Sequence, residues 1–117
     1  MRSILKRLND VVGVKGSLAV TKDGMVIASH LGRQLREDLV AAVAANAVRS
    51  TRKALEELGL RQFSRFTLVS SHGKMVFTEA GAAYLVVVTD RTVDVGPVQI
   101  EIDSAVMRIR QLGEIRV

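Results

Sequence analysis

The chain has 117 residues, enough for one domain (residues 1–117) with a single core and too few for a second. With 48% hydrophobic residues and no Pro/Gly/Ser-rich run it reads as globular, and without cysteine it has neither a disulfide framework nor thiolate chemistry. A net charge of +5 and a pI near 10.2 bring nucleic acid into consideration, but aromatic residues make up only 3% of the chain, too few for base-stacking platforms.

The first expected element is an amphipathic helix, Ser3 to Val12. Ile4, Leu5, Leu8, Val11 and Val12 recur at helical spacing, Ser3 is a candidate N-cap and Gly13 a stop. The charges in this stretch, with no small-residue cleavage site, argue against a signal peptide. Gly16–Thr21 and Met25–Ser29 then read as strands joined through Lys22-Asp23-Gly24, an Asp-Gly hairpin signal.

A polar link leads into a long alanine-rich helix, Glu37 to Leu58, followed by Gly59 in the position of a C′ glycine. Leu39, Val40, Val43, Ala44, Ala47, Val48, Ala54, Leu55 and Leu58 cover about half of its circumference, wider than the ~100° stripe one neighbour needs. One part of the arc is therefore expected on the domain's own sheet and the other against a partner chain. Asn46 and Arg49 interrupt the apolar run well short of the ~20 residues that span a bilayer, so no membrane insertion is expected and a cytosolic (cytoplasmic) protein is the simplest fit.

Three further strands are expected, near 63–70, 74–79 and 84–89. The last is continuously apolar, the mark of a central strand covered on both faces. Gly96-Pro97 opens a final helix whose apolar residues run from Val98 to Leu112, with Gly113 as its end. The order is αββαβββα: an α+β fold of two or three layers, a five-stranded antiparallel sheet covered by three helices.

Sites for chemistry are sparse. His30 and His72 are isolated, so no metal set forms, and no cofactor is expected. Ser70-Ser71-His72 lacks a nucleophile elbow and a third member. Gly73-Lys74 is followed by Met75 and sits in a hairpin, so it is not a phosphate loop. Gly13-Val14-Lys15-Gly16 has the spacing of an RNA-binding clamp but precedes a strand. The pairs Glu37-Asp38 and Glu56-Glu57 are accounted for by helix electrostatics. The densest basic group, Arg49, Arg52, Lys53, Arg61 and Arg65, is interleaved with Glu56 and Glu57 and reads as a solvated face. No residue is singled out as catalytic, and the protein is not expected to be an enzyme.

The passage Val12-Gly13-Val14-Lys15-Gly16-Ser17, then Asp23-Gly24-Met25-Val26-Ile27-Ala28-Ser29, with the alanine-rich helix, the His72-Gly73-Lys74-Met75-Val76 hairpin and the Gly96-Pro97 helix start, resembles the roadblock/dynein-light-chain family over the whole chain. The resemblance implies a longin/profilin-like fold with the long helix on one sheet face and the other two helices on the opposite face. It implies a homodimer through the long helix and the third strand, with Ala41, Ala44, Ala45, Val48, Arg52, Phe66, Leu68 and Ser70 at the interface. An otherwise unpaired third strand agrees with that. It further implies a non-enzymatic platform for a Ras-like small GTPase. An arginine supplied in trans is chemically available from Arg33, Arg36 or Arg91, with no sequence reason to choose one. The alternatives are a light-chain or adaptor subunit without a GTPase, or a heterodimer with another roadblock chain; a nucleic-acid binder is the least supported.

Overall fold

The computed structural model describes all residues except Gln34, Arg61, Gln62, Arg116 and Val117, and describes Val95 and 113–115 by backbone alone. Its elements are α1 (Arg2–Asn9), β1 (Val14–Thr21), β2 (Val26–Leu31), α2 (Glu37–Glu57), β3 (Arg65–Val69), β4 (Gly73–Ala80), β5 (Ala83–Asp90) and α3 (Val95–Ile115). The expected order holds throughout.

The strands form one antiparallel sheet in the order β2-β1-β5-β4-β3. The continuously apolar β5 is central, and Tyr84, Leu85, Val86 and Val87 have no exposed surface. Because successive side chains alternate between faces, Leu85 and Val87 join a core under α1 and α3, and Tyr84 and Val86 join a second core under α2. Both faces of the sheet are thus covered.

Helix α2 carries the chain from one edge strand, β2, to the other, β3. Its 21 residues span about 31 Å at ~1.5 Å each, ample to cross a five-stranded sheet about 19 Å wide. Glu37 and Asp38 occupy its first turn, where the helix dipole favours carboxylates. At its other end Gly59 takes φ +76°, the Leu60 N–H donates to the Leu55 carbonyl (2.8 Å) and the Gly59 N–H to that of Glu56 (3.0 Å). That is a Schellman closure, and it satisfies carbonyls the helix leaves unpaired.

Two local expectations, both at helix ends, differ from the structure. Ser3 does not cap α1, which starts at Arg2 after Met1 without a side-chain cap. Gly113 does not stop α3; the backbone stays helical through Ile115. The small residues of β1 also have a use that alternation did not show. Buried Ser17 donates to the Leu5 carbonyl (3.2 Å) and contacts Asn9 Oδ1 (2.9 Å), and the Asn9 amide donates to the His30 carbonyl (2.6 Å), tying α1 to β1 and β2.

The backbone of the β1–β2 turn packs closely on α2. Gly24 has φ +90°, and a Cβ there would sit 3.0 Å from Ala45 Cβ and 3.1 Å from its Cα. Positive φ and lack of space both penalise a side chain. Gly24→Ala is expected to lower stability by about 1–3 kcal/mol in chemical denaturation without changing the fold.

Candidate functional site

The surface that stands out lies where the N-terminal half of α2 borders β3. Leu39 and Val43 of α2 are about half exposed, and Leu68 of β3 is 44% exposed beside them. Leu39, Val43, Leu68 and Met75 line a cleft of about 520 Å³ that also reaches Lys15, His72 and Lys74. At about 100° per residue, Leu39, Val43, Ala47, Ser50 and Ala54 form one flank of the helix, roughly a quarter-turn from Ala44. Among the described residues strand β3 pairs only with β4, so one side of its backbone meets no strand. A row of apolar side chains therefore adjoins a strand edge able to form a ladder.

This geometry changes the rotation expected for α2. Ala44 and Val48 have no exposed surface and Ala45 only 8%, so these three are occupied within the chain and offer a partner almost nothing. Ala44 and Val48 pack on the sheet among Leu18, Val20, Phe77 and Tyr84, and Ala45 lies under Gly24. Arg52 is on the opposite flank from Val43, where its guanidinium donates to the Lys22 carbonyl (2.6 Å) and stands 3.7 Å from Asp23 Oδ1. Its work is to clamp the β1–β2 turn. Ala41 is half-buried against the α2-face core.

On β3, Phe66 and Leu68 point to the α2 side. Phe66 is half-buried, stacked on Phe77 at 4.3 Å and edge-on to Phe63 at 4.7 Å. Ser70 is exposed just past the strand, and its hydroxyl accepts the N–H groups of His72 and Gly73 (both 3.2 Å) and donates to the Gly73 carbonyl (3.0 Å). Of the eight residues named from sequence, Phe66 and Leu68 lie at this border, with Ser70 at its end. Leu39 and Val43 were visible in the apolar arc, but nothing in the sequence set them apart from Val48 and Leu55.

Ser71 Oγ and His72 Nδ1 are 2.8 Å apart, both exposed in the β3–β4 turn, and no carboxylate bonds His72 among the described residues. Gly73 and Lys74 open β4. No three His, Cys, Asp or Glu side chains gather into a metal-binding group among the described residues. The basic group disperses: Arg65 pairs with Asp103 (2.8 Å), Arg52 turns inward, Arg49 and Lys53 share their surface with Asp23 and Glu56, and Arg61 lies outside the described residues. Glu79 is held between Lys22 (2.9 Å) and Arg110 (3.5 Å), with the Lys22 ammonium 4.2 Å above the Tyr84 ring. Among the described residues no helix is long and apolar enough to cross a membrane.

The model of the Roadblock/LC7 domain matches residues 2–89. An uncharacterized protein of Methanocaldococcus jannaschii is 37% identical over 109 residues, covering 93% of this chain and 92% of its own length. Among solved structures, MglB of Myxococcus xanthus superposes with a TM-score of 0.85 at 22% identity, covering 98% of this chain and 88% of that one. A Roadblock/LC7 domain from Streptomyces avermitilis gives 0.79 at 19% identity, with 96% of each chain covered. The two structural likenesses are of fold.

Proposed function

The chain belongs to the Roadblock/LC7 family, and from that premise we propose that it acts as a homodimeric, non-enzymatic platform for a Ras-like small GTPase. The observation that supports the dimer is the meeting of an unpaired β3 edge with exposed Leu39, Val43 and Leu68. Two copies joined about a two-fold axis satisfy both needs at once: β3 pairs with its counterpart in a ten-stranded sheet, and the apolar flanks of the two α2 helices cover each other. The small residues Ala47, Ser50 and Ala54 on that flank let the helix backbones approach.

The GTPase role rests on the family. A platform of this kind contributes contact surface that orders the partner's switch loops, and the partner's own residues carry out phosphoryl transfer. Arg33 and Arg91 are exposed outside the helices and strands, and Arg36 is engaged by Asp38 at 3.2 Å.

The test is titration of this protein into a Ras-like GTPase from the same genome, loaded with GDP or with a non-hydrolysable GTP analogue. Binding of one form at least tenfold tighter is expected, since a ligand shifts switch conformations only by its differential affinity. Arg33→Ala, Arg36→Ala and Arg91→Ala are each expected to change GTP turnover by less than about tenfold, whereas loss of a trans-acting arginine costs roughly 10³-fold or more. Equal affinity for both forms, or none for either, contradicts the GTPase role and leaves an adaptor subunit.

A further inference from the structure

The opposite margin of the sheet, strand β2, is open whether or not β3 pairs. One side of β2 bonds β1 and the other meets no strand among the described residues. Open edges are usually guarded by a charge, a proline or a covering segment. Val26–Leu31 reads VIASHL, with no lysine, arginine, carboxylate or proline, and Val26 and Ile27 are 41% and 49% exposed. Along this edge runs a cleft of about 840 Å³ bounded by Arg2 of α1 and by Arg33 and Leu35 from the link to α2.

The cleft carries two arginines, Arg2 and Arg33, against one carboxylate, Glu37. Arg2 and Arg33 are both exposed and form no ion pair among the described residues, whereas the Glu37 carboxylate accepts a hydrogen bond from Ser29 Oγ at 2.5 Å. We propose that β2 receives an extended, acidic segment of a partner protein as a sixth strand, its backbone pairing with the free edge and its carboxylates meeting Arg2 and Arg33. Backbone bonds supply affinity in such strand addition, and the flanking groups supply selectivity. A basic or neutral strand gains the ladder without the charge pairing. A second copy of this chain would bring the same two arginines to the edge, with the Glu37 carboxylate already engaged.

The probe is a nine-residue capped peptide alternating valine and threonine between two aspartates at each end. Titrated into the ¹⁵N-labelled full chain, it is expected to shift amide resonances of Val26 to Leu31 and to slow their hydrogen exchange. The double variant R2E/R33E, whose substitutions are at exposed positions, is expected to bind the peptide at least about tenfold more weakly and to prefer a lysine-flanked version. Ile27→Glu, a carboxylate placed on the edge itself, is expected to weaken the acidic peptide and not the lysine-flanked one. No binding, shifts confined to β3, or equal affinity for acidic and basic peptides would overturn the proposal. So would β2 resonances that depend on protein concentration without peptide, which would assign the edge to a second copy.

Discussion

An Ala44→Glu chain is expected to lose the folded state. Ala44 has no exposed surface and packs in the core formed by Leu18, Val20, Val48, Phe77, Tyr84 and Val86. A glutamate there overfills a closed interface, at about 1–3 kcal/mol, and buries a carboxylate with no partner, at several kcal/mol more. For a domain of this size total stability is on the order of 6–17 kcal/mol, so the sum removes much or all of it. Thermal unfolding followed by circular dichroism reads the loss directly. A folded variant with an unchanged melting temperature would contradict the placement of Ala44 on the sheet.

The second large effect is expected at the proposed interface. Val43→Glu and Leu68→Glu change side chains that are half exposed in one chain, so each is expected to alter its stability by less than about 1 kcal/mol. In a two-fold dimer the pair of substitutions brings four carboxylates into one apolar contact. Like charges placed together cost several kcal/mol, which corresponds to a dissociation constant raised by roughly 10³-fold. Sedimentation equilibrium measures that constant, and circular dichroism checks that the fold is intact. The two experiments separate inward from outward faces of α2: one variant unfolds the chain, the other separates the chains.

The contrast between Ala44 and Val43 also shows how far the sequence could be read. Elements and their order were legible because their signals are local: Asp23-Gly24 at a turn, Gly59 at a helix end, and an unbroken apolar run at 84–88 that suits only a covered strand. The rotation of α2 was not legible. Alanines at 41, 42, 44, 45 and 47 surround the axis and the apolar arc covers about half of it, so hydrophobicity alone does not fix which part of the arc meets the sheet. Contacts between distant residues set it: Gly24 requires a small side chain at Ala45, and Arg52 reaches the Lys22 carbonyl 30 residues away. The same reason hid Ser17, whose burial makes sense only with the Leu5 carbonyl and Asn9 facing it. Strand β2 was visible as a strand, but its place at a margin depends on β1 pairing with β5, a long-range choice.

In the proposed dimer the α2 flank and the β3 edge join two copies of this chain. The most direct test of that join is solution mass by multi-angle light scattering across micromolar concentrations, for the wild type, the V43E/L68E variant and Arg49→Glu on the far side of α2. A mass of twice 12.7 kDa is expected for the wild type and for Arg49→Glu, and 12.7 kDa for a folded V43E/L68E chain. A wild type of 12.7 kDa, or a V43E/L68E chain that keeps the doubled mass, would contradict the proposed dimer.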